Sequence, residues 1–305
     1  MIRIGTAGWS YADWEGVVYP RKKPRGFHAL PYLARFVDCV EINSSFYATP
    51  RADYAERWAE LVEDRPHFRF TAKLQDLFTH RRLEPTQRAM EAERFRAGLQ
   101  PLRSAGKLAA LLVQFPFSFR RTSAAEERLA WIADTFAGDQ PLVLEVRHRS
   151  WFEPESLERL ARLSYSLATI DLPAHKDHPP AEVEPGGPIG YLRIHGRNSA
   201  AWFEPKAGRD DRYDYLYSED EVRALAQSAR RLATGTDETY VITNNHFAGK
   251  AVANALELRY ELEGEAPPAP PELVQKYPRL KGKTRGATSG GSTQGTLFAD
   301  GEEGV

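Results

Sequence analysis

Residues 141–152, PLVLEVRHRSWF, form a strand pattern with charges in its middle and a basic loop at its end. The apolar positions 142, 144 and 146 alternate with positions 143, 145 and 147, which is the period of two typical of a β-strand. Glu145 and Arg147 therefore share one face. A charge inside an apolar strand is costly unless it is paired or holds a ligand. This stretch therefore predicts an acid and a guanidinium that act together where a buried strand ends.

The composition limits the class of protein. The chain has 305 residues, of which 42% are hydrophobic and 27% charged, as is ordinary for a globular protein with a full core. Its formal net charge is -1, so any attraction for polyanions must come from local basic clusters. The single cysteine, Cys39, excludes an intramolecular disulfide and fits a reducing compartment. The sequence shows neither an apolar leader nor a membrane-spanning run, so we expect a cytoplasmic protein without a membrane partner.

Strand-like runs and helical patterns alternate along the chain. The strand-like runs are Ile2–Gly8, Cys39–Asn43, Phe68–Lys73, Leu108–Phe115, Leu142–Arg147, Ser166–Asp171, Gly190–His195 and Thr239–Asn244. Helical patterns cover residues 52–63, 124–136, 219–232 and 247–262. Residues 172–188 are crowded with prolines and predict a loop. The alternation predicts an α/β fold, a single TIM-type (β/α)8 barrel that lacks a helix after strand six.

A doubly wound open sheet is the alternative fold, but the first strand leads into GTAGWS and not into the GxGxxG turn of a nucleotide-binding sheet.

The amino-acid composition divides the chain into three parts. Residues 1–264 form the barrel, and the Pro-rich residues 265–280 pack on or beside it. Residues 281–305 are Gly-, Ser- and Thr-rich and predict a flexible, disordered tail.

Polar residues gather at the ends of most strands. Strand parity turns Glu41, Lys73, Glu145, Arg147, Asp171, Arg193 and His195 toward the barrel interior. Because the carboxyl ends of barrel strands meet at one face, where active sites lie, we expect these side chains to share one mouth. A structural ion network that plugs the barrel is the alternative interpretation.

The loops after the strands are basic and contain aromatic residues. The basic residues are Arg21, Lys22, Lys23, Arg25, His80, Arg81, Arg82, Arg120, Arg121, His148, Arg149 and Arg197. The interleaved aromatic residues are Trp9, Tyr11, Trp14, Phe46, Tyr47, Phe117, Phe119, Trp151, Trp202 and Phe203. A basic rim attracts phosphates, and exposed rings stack on bases or sugars.

Several motifs together resemble the YecE-like family, domain of unknown function 72. They are GTAGWSYADWEGVVYP, EINSSFYATP, FRFTAKL, VQFPFSF, LEVRHRSW, YLRIHGR and ITNNHFAGKAVANALEL. The resemblance runs from Ile2 to about Leu262 and implies a TIM-type barrel without assigning an activity. It places shared residues at the strand ends, here Glu41, Asn43, Lys73, Gln114, Glu145, Arg147, Asp171, His195 and Asn244. Endonuclease IV and xylose-isomerase-like barrels are similar in outline only.

The C-terminal tail contains a second motif. QGTLF, with Gln294, Leu297 and Phe298, resembles the pentapeptide by which bacterial proteins dock on the DNA polymerase sliding clamp. An extended segment can place a Leu and a Phe in an apolar groove while the Gln amide bonds at its edge. The alternative is a tail whose two apolar residues have no function.

The leading hypothesis is a clamp-tethered enzyme, a hydrolase of phosphodiesters, that acts on nucleic acid or on a phosphorylated fragment. The predicted substrate-binding residues are Trp9, Asn43, Lys73, Gln114, Arg147, Arg193 and Asn244, where the guanidinium and ammonium groups suit phosphate oxygens. Glu145, Asp171 and Glu41 are the candidate bases, and His195 is the candidate acid. The same three carboxylates are the candidate ligands of one divalent cation.

Two alternatives stay open at this point. The first is a non-catalytic adaptor that binds nucleic acid with the same rim and tail. The second is an enzyme that acts on a sugar or sugar phosphate, since Trp-lined barrel mouths with carboxylates also suit sugars. A multi-zinc cluster is not expected, because His148, His195 and His246 are the only histidines well placed near strand ends.

Overall fold

Nine parallel strands form one sheet that curls into a barrel. The computed structural model describes residues 1–286 except 82, 137, 139, 181–185, 203 and 205. The barrel strands are β1 Ile2–Ala7, β2 Cys39–Ile42, β3 Arg69–Lys73, β4 Leu108–Gln114, β5 Leu142–Glu145, β6 Tyr165–Leu167, β7 Thr169–Asp171, β8 Gly190–Ile194 and β9 Thr239–Thr243. Each predicted strand-like run thus contains an observed strand.

The barrel closes through an interrupted sixth strand. β6 pairs with β5, whereas β7 pairs with β8, and only Ala168 separates the two pieces. They therefore occupy a single strand position, which gives the eight positions of the predicted barrel. No helix follows this strand in residues 172–180 and 186–188, the described parts of the connection that we predicted to be a loop.

The helices lie around the outside of the barrel. They are α1 Ala29–Leu33, α2 Ser44–Tyr47, α3 Ala52–Leu61, α4 Asp76–Thr79, α5 Pro85–Ser104, α6 Ser123–Phe136, α7 Pro154–Arg162, α8 Ser199–Trp202, α9 Arg209–Arg212, α10 Glu219–Thr234, α11 Lys250–Glu263 and α12 Pro271–Lys276. Single 3₁₀ turns occupy Ala12–Trp14, Arg149–Trp151, Phe247–Gly249 and Pro278–Leu280. No helix in the described part of the chain is long and apolar enough to span a bilayer.

Local sequence explains most of these boundaries. Ser218 accepts a hydrogen bond from the backbone N–H of Glu221, whose carboxylate accepts one from Ser218 N–H, so a capping box starts α10. The longest described helix, α5 with 20 residues, is not among the predicted helical patterns, and it contains Gly98 and Pro101, which are poor helix formers. Gly98 is required there, since a Cβ at this position would lie 2.0 Å from the carbonyl oxygen of Pro50.

The apolar core has two layers. The outer layer lies between strands and helices and includes Val40, Leu144 and Ile194. The inner layer fills the barrel below the strand ends with side chains that include Cys39 and Tyr240. Both faces of a barrel strand are therefore buried, as expected for a parallel sheet covered by helices. The charged residues must lie above the inner layer, at the carboxyl ends of the strands.

The segment after α11 packs on the barrel. Arg279 bonds to Glu257 and to the carbonyl of Tyr217, and Lys283 lies 2.7 Å from Glu219. Short strands β10 Pro268–Ala269 and β11 Arg285–Gly286 pair with each other. Residues 281–286, predicted to belong to the flexible tail, therefore continue the packed segment. Gln294, Leu297 and Phe298 lie outside the described residues.

Candidate functional site

Arg193 joins two buried carboxylates at the carboxyl end of the barrel. Its Nε and Nη2 donate to the two oxygens of Glu41 at 3.0 and 2.6 Å, and its Nη1 donates to Glu145. Tyr191 donates to Glu41 at 3.0 Å from the same strand. The side chains of Glu41, Glu145 and Arg193 are each at most 1% exposed. Three inward positions on β2, β5 and β8 thus build one ion network, as strand parity predicted.

Arg147 extends this network toward the solvent. Its Nε and Nη2 donate to Oε1 of Glu145 at 2.9 and 2.7 Å, and its side chain is 17% exposed. Burial alone would raise the pKa of Glu145, but the guanidinium groups of Arg193 and Arg147 outweigh it and hold that pKa well below its usual range. The remaining nitrogen of Arg147, Nη1, has no partner among the described residues, and the Arg147 side chain lines the cavity at the barrel mouth.

His195 lies inside the network and is fully buried. The side-chain amide of Asn244 donates to its Nδ1 at 3.0 Å, and its Nε2 lies 3.6 Å from Glu145. Burial, assisted by the charge of Arg193, lowers the pKa of His195 to about 3. The imidazole is therefore neutral at physiological pH, and the predicted role of His195 as an acid does not suit this position.

A cavity of about 430 Å³ lies above the network. Its lining combines amides, basic groups and aromatic rings from strand ends and loops: Gly8, Trp9, Ser10, Tyr11, Asn43, Ser44, Phe46, Tyr47, Lys73, His80, Gln114, Arg147, Tyr213, Asn244 and His246. Six of the seven predicted substrate-binding residues are among them. The seventh, Arg193, lies beneath the cavity with its donors engaged by carboxylates, so the predicted contact between Arg193 and a phosphate does not fit.

Among the described residues that line this cavity, no side chain is a carboxylate. Lys73 and Arg147 supply positive charge, while the carboxylates of Glu41 and Glu145 lie below and are paired with guanidinium groups. A partly enclosed site with positive charge and amide donors favours an anion. The geometry therefore suits a phosphate or carboxylate better than a cation.

The candidate metal ligands do not converge. All four oxygens of Glu41 and Glu145 accept hydrogen bonds from Arg193 or Arg147. Within the described ranges, no group of three His, Cys, Asp or Glu side chains is arranged to hold a metal ion. The residues present at the mouth therefore do not fit a divalent cation, which requires several free oxygen ligands.

The predicted orientation of Asp171 is wrong. Its carboxylate accepts hydrogen bonds from Arg197 at 2.6 and 3.0 Å and from the hydroxyl of Tyr217. Ala168 and Ile170, which would face the helices if Asp171 pointed inward, lie instead in the inner apolar layer. The side chain of Asp171 consequently points away from the barrel interior and cannot act with Glu145 or His195.

Four of the twelve predicted rim residues are neutralised by acidic partners. The ion pairs join Lys23 with Glu15, Arg81 with Asp76, Arg121 with Glu126, and Arg197 with Asp171. The predicted aromatic residues also fall into two groups, one buried and one that lines the cavity. Trp14 and Trp151 are buried structural residues, whereas Trp9, Tyr11, Phe46 and Tyr47 line the cavity. Arg82 and Phe203 lie outside the described residues.

Tyr213 is a cavity residue that sequence reasoning missed. Its ring centroid lies 5.3 Å from that of His246 and 6.3 Å from that of His195. It comes from the connection between α9 and α10, where the sequence DDRYDYLY shows no strand end and no spacing that marks one tyrosine above the others. Only the folded connection brings it over the mouth.

Comparisons with known proteins agree with this architecture. The family model described as "Protein of unknown function DUF72" matches residues 3–276. UPF0759 protein YunF of Bacillus subtilis is 31% identical over 88% of this chain and 98% of its own length. UPF0759 protein YecE of Escherichia coli K12 is 28% identical over 60% of this chain and 64% of its own length.

Solved structures show the same barrel. A DUF72 family protein from Thermotoga maritima superposes with a TM-score of 0.73 at 30% identity, covering 86% of this chain and 99% of that one. A DUF72 family protein from Enterococcus faecalis gives a TM-score of 0.75 at 27% identity, covering 86% and 96%. The TIM-type fold is therefore confirmed, and the chain belongs to the DUF72 family of proteins of unknown function.

Proposed function

We propose that the barrel mouth binds and acts on a small phosphorylated substrate. The observation that supports this proposal is the cavity lining, which contains Lys73 and Arg147 and, among its described residues, no carboxylate. The guanidinium fork and the ammonium group both suit phosphate oxygens. Asn43, Gln114 and Asn244 add amides that can orient the neutral part of the substrate.

The size and walls of the cavity favour a phosphorylated sugar or similar compound over a nucleic-acid strand. A volume of about 430 Å³ is at the lower end of the range of small-molecule sites. Trp9 and Tyr213 supply rings against which a sugar can pack. A strand of nucleic acid needs a continuous basic track, and the ion pairs of Arg81, Arg121 and Arg197 interrupt one here.

We expect Lys73→Met and Arg147→Gln each to weaken binding of glucose 6-phosphate by about 10- to 100-fold. Each change removes one charged hydrogen bond to the phosphate, which contributes roughly 1.5–3 kcal/mol. Isothermal titration calorimetry measures the effect, with unphosphorylated glucose as the control ligand. Lys22→Met, at an exposed position outside the cavity lining, is the matched control and should leave binding unchanged.

Equal affinity for glucose and glucose 6-phosphate would contradict the proposal. So would tight binding of single-stranded DNA that persists in Lys73→Met, because it would place the anion site on the rim.

We further propose that QGTLF docks on the sliding clamp through Leu297 and Phe298. The motif lies beyond the residues matched by the family model, so it would be an addition to the barrel and not part of its site. Leu297→Ala with Phe298→Ala should abolish capture of the purified chain on immobilised bacterial clamp. Thr296→Ala serves as the control variant. Undiminished capture of the double variant would contradict the proposal.

A further inference from the structure

Lys73 differs from an ordinary phosphate-binding lysine in its surroundings. It ends β3, its backbone carbonyl accepts a hydrogen bond from Ser45 at 2.8 Å, and its ammonium lies 4.5 Å from the ring centroid of Phe46. Among the described residues, no carboxylate forms an ion pair with it. Its amine is thus held by a rigid strand at a cavity wall without an acidic partner.

The charges that face Lys73 come from several elements. Arg193 on β8 and Arg147 after β5 oppose its protonation, as does burial, whereas Glu41 and Glu145 favour it. The net effect, in which burial is the largest cause, lowers the pKa of Lys73 to about 8. Roughly a tenth of the amine is then neutral at pH 7, and the neutral form is the nucleophile.

Lys107 provides an internal comparison, because burial lowers the pKa of its amine as well. Its amine donates to the carbonyls of Val62 and Arg65 at 3.2 and 2.5 Å. Lys107 therefore holds a loop together and does not line the cavity. Lys73, unlike Lys107, therefore lines a cavity in which its amine can meet a substrate.

We propose that Lys73 is a nucleophile that forms an imine with the aldehyde or ketone carbon of the phosphorylated substrate. This inference rests on the proposed function of the cavity. The lone pair of Nζ attacks the carbonyl carbon and forms a C–N bond, and the carbonyl oxygen leaves as water after taking up protons. Amine and carbonyl thus give imine and water, without an oxidant or a reductant.

The remaining cavity residues suit this step. Amide groups of Asn43 and Gln114 can donate hydrogen bonds to the carbonyl oxygen as it gains negative charge. During this step Arg147 holds the phosphate at the same mouth, because Lys73 contacts the phosphate only as an ammonium, before it loses the proton and attacks the carbonyl carbon. Each of these groups lines the cavity together with Lys73, so one bound substrate can contact all of them.

Borohydride trapping tests the inference. The full-length protein is incubated with dihydroxyacetone phosphate and reduced with sodium borohydride, and intact mass and peptide mapping are recorded. We expect one adduct, with the mass of the probe less one oxygen atom, on Lys73 and not on Lys107. Labelling should be on the order of 200-fold faster than at exposed lysines at pH 7, which is the ratio of the neutral fractions, and should rise with pH toward about 8.

Lys73→Arg keeps the positive charge but removes the nucleophile. It should bind glucose 6-phosphate and give no adduct, whereas Lys22→Arg should be labelled at Lys73 like the unaltered chain. Phosphate binding without any adduct on Lys73 in the unaltered chain would overturn the inference and leave the proposed function intact. An adduct on Lys73 that forms equally fast with unphosphorylated dihydroxyacetone would support the nucleophile and contradict the phosphate site.

Discussion

Arg193→Met should lower the free energy of unfolding by about 3–5 kcal/mol, the loss typical of a buried charge pair that is broken on one side. Glu41 and Glu145 are both fully buried, and Arg193 donates to both. Among the residues that the structure describes, Glu41 would then keep the hydroxyl of Tyr191, and Glu145 would keep Arg147 as its cationic partner. Urea denaturation followed by circular dichroism measures the loss.

Two further variants separate the charge effect from loss of packing. Adding Glu41→Gln to Arg193→Met should recover part of the stability, because the amide removes one uncompensated negative charge. Arg57→Met, at an exposed pair with Glu60, should change stability by at most about 0.5 kcal/mol. A loss below about 1 kcal/mol for Arg193→Met would mean that the ion network does not stabilise the barrel.

His195 should make the protein sensitive to mild acid. Its pKa is about 3 in the folded chain and about 6.5 when unfolded. Between these values the unfolded chain binds a proton that the folded chain does not, so stability falls as the pH decreases through this window. The expected contribution is about 1.4 kcal/mol per pH unit, or roughly 2–3 kcal/mol between pH 7 and pH 4.5.

The test compares denaturation of the unaltered chain and His195→Gln at pH 7 and pH 4.5. The variant should lose roughly 2–3 kcal/mol less stability over this interval. The depressed pKa of Glu145 acts at lower pH and therefore does not contribute to this difference. Equal losses in both proteins would show that His195 is not buried as a neutral imidazole.

The buried network could largely be predicted from sequence. Glu41, Glu145 and Arg193 alternate with aliphatic residues that had to face the helices, so strand parity left the barrel interior as their only direction. Which of them pair with each other could not be predicted. Two inward side chains can pair only if they lie at the same level along the barrel axis. The levels of β2, β5 and β8 are fixed by the hydrogen-bond register of the closed barrel, which the sequence of a single strand does not reveal.

The sixth strand shows the limit of parity. Ala168 and Ile170 are apolar, and the next residue, Asp171, is charged. If the barrel interior were polar, this alternation would turn Asp171 inward. The interior below the mouth is apolar, so both faces of this strand accept aliphatic residues and the alternation does not choose between them. The partner of Asp171, Arg197, comes from a loop whose path no periodicity describes.

The two interpretations of the strand-end residues apply at different depths. Glu41, Glu145, Arg193 and His195 form the structural ion network, as the plugged-barrel alternative predicted. Lys73, Arg147 and the amides lie above it and line a cavity. The buried carboxylate of Glu145 therefore orients Arg147, and the groups above the network are the ones that can meet a substrate.

The most direct test of the anion site is a crystal structure with tungstate, a phosphate analogue that anomalous scattering locates without ambiguity. We expect one tungstate ion in the cavity, in contact with Nη1 of Arg147 and with the ammonium of Lys73. Tungstate bound only at the exposed basic loop of residues 21–25, with the cavity lacking it at saturating concentration, would contradict the account.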